Sequence, residues 1–194
     1  VSKVTNMNHM FLEATSFRQR LCRDPWLTKK ASKVDMFTGS SGSSRCVFNF
    51  ETRAALSLAI ATYLDLSPQG DCADGPHGWI GEWDVSDISD MDEIFAHASS
   101  FNGDISAWEM SGVITMKGMF AGASAFNGDL STWDVSNVVD MSCMFQGATR
   151  FNSDISNWEV SSVTAMSYMF SGATSFNRDL PNWDVPSVTL MTSM

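Results

Sequence analysis

A repeat of 25 residues constrains this chain more than anything else in it. Trp83, Trp108, Trp133, Trp158 and Trp183 recur at that interval, as do Met91, Met116, Met141, Met166 and Met191, and Phe95, Phe120, Phe145 and Phe170. A second aromatic row, Phe101, Phe126, Phe151 and Phe176, is followed each time by Asn: Asn102, Asn127, Asn152 and Asn177. The shared pattern reads W-[DE]-V-S-x-V-x-x-M-x-x-M-F-x-x-A-x-x-F-N-x-D-[IL]-S. A single copy cannot bury its Trp, Met and Phe face, so copies must stack and merge those faces into one core. The 13 methionines are read as filling that core.

Spacing within a copy predicts how it folds. The Trp-x-Val step has period two and fits a short strand with both side chains inward. The following steps of three and four fit one or two helical or 3-10 turns. Ser86, Ser111, Ser136 and Ser161 are placed to accept from the N–H groups that open that turn, and Gly122, Gly147 and Gly172 to end it. The expectation is an α/β repeat: a leucine-rich-repeat-like solenoid with one short strand and one short helical turn per 25-residue rung, copies stacked about 4.8 Å apart.

The chain divides into three parts. Residues 1–37 read as the end of a first, degenerate array: Val1, Val4, Met7, Met10, Phe11, Ala14 and Phe17 match Val85 through Phe101, and the pattern then decays. Residues 38–75 read as an insertion, with a Gly/Ser loop (38–44) and an amphipathic helix. In that helix Leu56, Ile60 and Tyr63/Leu64 share a face, Asn49 or Thr52 is available as cap, and Pro68 marks the stop. Solenoid ends expose apolar core, so 48–66 is expected to cap the second array, 76–194. Val1 is not Met and no signal-peptide pattern follows, so the beginning reads as cut. Met194 falls in mid-repeat, which leaves a further repeat or a frayed last rung as alternatives.

Charge is unevenly shared. Residues 1–82 carry 9 basic and 8 acidic side chains, whereas 83–194 carry 3 basic (Lys117, Arg150, Arg178) and 14 acidic. Such a field favours cations and basic proteins and opposes nucleic-acid phosphate. A hydrophobic fraction of 44% is too high for a disordered acidic chain. No apolar run reaches the roughly 18 residues of a membrane span. The three histidines lie in unrelated contexts, and HExxH, GxSxG, GxxxxGK[ST] and GxGxxG are absent. The chain is therefore read as no enzyme, with no cofactor and no dedicated metal site.

WDVSNVVDMSCMFQGATRFNSDIS (133–156) resembles the BspA-like bacterial-surface-protein repeat of 25 or 26 residues, a relative of the leucine-rich repeats. The resemblance covers 76–194 well and 1–37 less well. It implies a right-handed solenoid used for adhesion or protein contact at the cell surface or after secretion, and it supplies no catalytic residues.

Three groups are candidate sites. Asp84, Glu109, Asp134, Glu159 and Asp184 lie between inward residues and should point outward, with like charges about 5 Å apart on neighbouring rungs. They offer a surface for a basic partner or a divalent cation; the plainer reading is a solvated stripe that discourages aggregation. Arg18, Arg20, Arg23, Lys29, Lys30 and Lys33 form a basic stretch, read as a partner contact or an ordinary loop. Of the four cysteines, Cys46 and Cys72 bracket the helix and would form a disulfide in an oxidising compartment, and Cys143 is read as a free thiol. The Asn row and the row Asp104, Asp129, Asp154 and Asp179 are read as structural polar positions of the return loop, the Asn side chains buried in a ladder. The expected role is a non-enzymatic scaffold binding protein partners through its extended face. The alternative is an accessory structural subunit of a large assembly, in an organelle lumen or peripheral to a membrane.

Overall fold

The computed structural model describes residues 4–17, 32–40, 48–71 and 77–194. They fall into two compact units, one holding 4–17, 32–40 and 77–78, the other 48–71 and 79–194.

In the larger unit successive copies stack in parallel. Single-residue bridges join Asp90 to Thr115, Thr115 to Asp140, Asp140 to Ala165 and Ala165 to Leu190. This point of pairing differs from the expected one. It lies just before the first Met of M-x-x-M-F, whereas the Trp-x-Val segments at 108–110, 133–135 and 158–160 carry no bridge although their Trp, Met and Val side chains are buried. Only Asp84 of the first copy is bridged there, to Asn49.

The segment after the bridge is not the expected helical turn. Its backbone N–H groups alternate in direction. Those of Met116, Gly118, Phe120 and Gly122 donate to Asp140, Ser142, Met144 and Gln146 of the next rung at 2.7–2.9 Å. Those of Met119, Ala121 and Ala123 close tight turns on Met116, Gly118 and Phe120 of their own rung at 2.9–3.1 Å. An α-helix would point every N–H the same way. The alternation requires a left-handed residue at every fourth position: Glu93 and His97, Gly118 and Gly122, Cys143 and Gly147, Tyr168 and Gly172, all with φ between 56° and 77°. Glycine adopts this conformation freely, whereas an L side chain there costs about 1–2 kcal/mol.

Side chains complete the stack. Phe95, Phe120, Phe145 and Phe170 form a column with centroids 5.5, 5.7 and 5.8 Å apart. Phe101, Phe126, Phe151 and Phe176 form a second, at 5.8, 6.2 and 5.8 Å, and within each rung the two rings stack at 3.7–4.3 Å. Each indole Nε1 donates to a carbonyl of the preceding rung: Trp108 to Ile80, Trp133 to Ile105, Trp158 to Leu130 and Trp183 to Ile155, at 2.8–3.2 Å. The buried N–H is thereby satisfied, which no other large apolar side chain could do at this place.

One helix, α1 (Arg53–Leu66), covers the first rung. Thr52 caps it by accepting from the Ala55 N–H at 3.2 Å, the Ser67 N–H closes its end on Tyr63 at 2.8 Å, and Pro68 cannot continue it. Leu56, Ala59, Ile60 and Tyr63 are buried. Tyr63 meets Trp83 edge-on at 5.5 Å, and Phe50 lies 5.1 Å from the same indole. Arg53 pairs with Asp90 at 3.1 Å and donates to the Asp92 carbonyl. That carbonyl stands where Lys117 O and Ser142 O accept from the rung before them.

In the smaller unit, Met7, His9, Phe11 and Glu13 donate to Ser32, Val34, Met36 and Thr38. His9, Glu13, Asp35 and Gly39 take the left-handed positions. Residues 38–40, expected to open a flexible loop, thus close the second rung of this unit.

Two expected outcomes follow from this packing. Cys143→Gly stabilises the chain by about 1 kcal/mol and Gly147→Ala destabilises it by a similar amount, because a Cβ at 147 meets nothing closer than 3.7 Å and only the backbone resists. Urea unfolding midpoints of the two variants check the signs. Phe120→Ala, emptying a fully buried position within both ring contacts, costs about 3–5 kcal/mol in the same assay.

Candidate functional site

Between the aromatic rows and the bridge, each rung turns a corner with the sequence D-[IL]-S-x-W-[DE]-V-S. Ile105, Leu130 and Ile155, with the Trp and the following Met or Val, are buried and pin the corner to the core. The residues alternating with them face solvent. Asp104, Asp129, Asp154 and Asp179 are exposed, and so are Glu109, Asp134, Glu159 and Asp184. Two carboxylates per rung therefore line one corner of the stack; these corner segments contain no basic residue, and Arg178 stands just before the last of them.

Each carboxylate is held by its own turn. Asp84 Oδ1 accepts from the Ser86 N–H and hydroxyl at 3.1 and 2.7 Å, and Asp134 Oδ1 from those of Ser136 at 3.0 and 2.6 Å. Glu109 and Glu159 accept from the N–H groups of Ser111 and Ser161 at 3.2 and 3.1 Å. The other row repeats the device: Asp104 with Ser106, Asp129 with Ser131 and Asp154 with Ser156, all at 2.9–3.0 Å from N–H. The expected roles are thus reversed, since the acid accepts and the Ser donates. An Asp two residues before a Ser forms an Asx turn, and the sequence offers this spacing, with Asp or Glu as the acid, at both corner positions of the copies between Asp104 and Ser161. In the last copy Pro181 and Pro186 stand in the Ser positions and have no N–H to give.

These bonds set the acidity. The Ser106 hydroxyl and N–H hold the Asp104 carboxyl below its usual 3.8, the Ser131 N–H and hydroxyl do so for Asp129, and the Ser136 hydroxyl and N–H for Asp134. Asp154 is lowered by the N–H and hydroxyl of Ser156, with help from Arg178. Opposing this, partial desolvation raises both Asp104 and Asp129, and to a smaller extent Asp129 raises Asp104 and Asp154 raises Asp129. Like-charge crowding, expected along the Asp134 row, thus acts along the Asp104–Asp129–Asp154 row. That row was read from sequence as structural only; the signal that it is also an exposed acidic line was its place among inward-facing residues.

Asp84 differs from the rest of its row. It is half-buried, with its N–H on Phe48 O at 2.8 Å and its carbonyl accepting from Phe50 N–H at 3.1 Å. Among the described residues no three His, Cys, Asp or Glu side chains converge as metal ligands. Lys33 is half-buried; Arg18, Arg20, Arg23, Lys29 and Lys30, and the Cys46–Cys72 pair, lie outside the described residues. Cys143 is a free, half-buried thiol. The Asn ladder exists but is not buried: Asn102, Asn127 and Asn152 each accept, through Oδ1, from the N–H of the next rung's Asn at 2.7, 2.7 and 3.0 Å, and Asn102, Asn127 and Asn177 are exposed. Among the described residues no helix is long and apolar enough to cross a membrane.

A family model described as "Mycoplasma protein of unknown function, DUF285" matches residues 1–58, 72–158 and 130–194. No curated protein and no solved structure matches the chain.

Carboxyls lowered on folding stabilise the chain above their unfolded value and lose that contribution as pH falls through the folded one. The contribution of these carboxyls to stability should therefore be flat above about pH 5 and fall below about pH 4. The variant Asp129→Asn with Asp134→Asn keeps an oxygen to accept each Ser N–H but titrates no longer, so its acid limb is shallower. Melting temperature followed from neutral to strongly acid pH checks this, and an unchanged limb would contradict the assignment.

Proposed function

Because the chain belongs to the DUF285 family, whose function is unknown, we propose that its second array is a right-handed leucine-rich-repeat-like solenoid serving as a non-enzymatic scaffold that binds a basic protein segment along its acidic corner. The observation that carries this reading is the pair of exposed carboxylates on three successive rungs, Asp104 with Glu109, Asp129 with Asp134 and Asp154 with Glu159, each tied by a Ser N–H and kept at a constant step by the stack. Charges held this way need little ordering on binding, which favours an extended partner with lysines or arginines at intervals. Likeness to the BspA-like surface repeats supports an adhesive setting at the cell surface or in a secreted protein. A structural subunit of a larger assembly is the second reading. It is favoured by the outer face of α1, where Leu58 and Leu66 are 71% and 59% exposed.

Co-purification at low salt, with mass spectrometry of what is retained, tests the first reading against a variant neutralised at the corner (Asp129→Asn, Asp134→Asn, Asp154→Asn, Glu159→Gln). The expected result is a basic partner released by moderate salt and held about tenfold more weakly by the variant. A partner held equally by both proteins would overturn the corner as the contact.

A further inference from the structure

Two rungs carry Asn followed by Gly, at Asn102–Gly103 and Asn127–Gly128, and these are the only such pairs in the sequence. We propose that Asn102 and Asn127 are latent deamidation sites, kept as amides by the inter-rung ladder and converted when a rung opens. The chemistry needs no cofactor. The glycine backbone nitrogen attacks Asn Cγ, a C–N bond closes the succinimide ring, the Cγ–Nδ2 bond breaks, and ammonia leaves carrying the glycine N–H proton. Water then opens the ring at either carbonyl, giving aspartate or isoaspartate.

Glycine favours the reaction because no side chain shields its nitrogen, and at 103 the fold gives a reason for glycine: an added Cβ would lie 2.8 Å from Gly70 O and from the Phe101 ring. At 128 it would lie 3.0 Å from the Phe126 ring. Both asparagines are exposed, so water has access. What opposes the reaction is orientation. Asn102 Oδ1 is held by the Asn127 N–H at 2.7 Å, and Asn127 Oδ1 by the Asn152 N–H at 2.7 Å. Each amide is directed along the stack toward the next rung, whereas ring closure requires it to turn back onto its own following peptide. The same packing against Gly70 and the two Phe rings restrains the glycine backbone from moving to meet it.

Opening one rung removes both restraints together, and the change is then permanent. Aspartate keeps an oxygen for the ladder but adds a third negative charge to a corner already holding two per rung. Isoaspartate adds a backbone atom within a rung whose register is fixed on both sides.

Peptide mass mapping after incubation at mildly alkaline pH tests this, in native buffer, in sub-denaturing urea and in full denaturant, with amide hydrogen exchange of Asn127 and Asn152 measured alongside. Asn152–Ser153 and Asn177–Arg178, in the same column without glycine, are internal controls. In denaturant Asn102 and Asn127 convert first; in native buffer both are slowed by at least about tenfold. In sub-denaturing urea, Asn102 conversion rises in proportion to exchange of the Asn127 amide, and Asn127 conversion to that of Asn152. Equal rates in native and denatured protein, or conversion that stays constant while exchange rises, would overturn the proposal.

Discussion

Everything in this fold depends on one alternation of backbone hydrogen bonds. Along the segment that follows each bridge, every second N–H reaches the next rung and the intervening ones close turns within their own. The backbone is thereby satisfied without helix or extended strand, and the same rule repeats at each copy. Left-handed residues at every fourth position follow from it, since each reverses the direction in which the next peptide points. The Phe columns accompany it, since Met116, Met119, Phe120 and Ala123 of one rung and Met141, Met144, Phe145 and Ala148 of the next all turn inward.

What the sequence made legible was periodic. Trp, Met and Phe at 25-residue spacing identified the core, and Leu56, Ile60 and Tyr63 identified the helix over its first rung. Local conformation was less visible. Steps of three and four occur in helices and equally in a chain of tight turns whose apolar residues alternate around left-handed ones. The clue was available in column 93/118/143/168, where Glu, Gly, Cys and Tyr share nothing but a position. A column that tolerates such different side chains and one glycine answers to a backbone demand, and its φ values bear that out. The acidic corner was half legible. Its outward direction followed from the buried neighbours, but the carboxylate as acceptor and Ser as donor required the turn geometry.

The corner also shows how one set of atoms meets two demands. The Ser N–H groups need an acceptor where the chain turns, and a carboxylate supplies a strong one while leaving its second oxygen in water. Repulsion between rungs is the penalty, visible where Asp129 and Asp154 act on the carboxyls before them. The hydrogen bonds prevail, since the three carboxyls Asp104, Asp129 and Asp154 remain more acidic than usual. A surface of aligned negative charge is thus compatible with a well-tied backbone, and Asn could tie the backbone alone.

Four ladders cross the same step between rungs: backbone, Trp Nε1, Asn Oδ1 and the Ser or Thr hydroxyls of 124, 149 and 174 on the preceding carbonyls. A one-residue insertion inside a copy puts at least some of them out of step, whereas adding or removing 25 residues disturbs none. Array length is therefore quantised. Relatives should therefore differ by whole copies before they differ in the length of one.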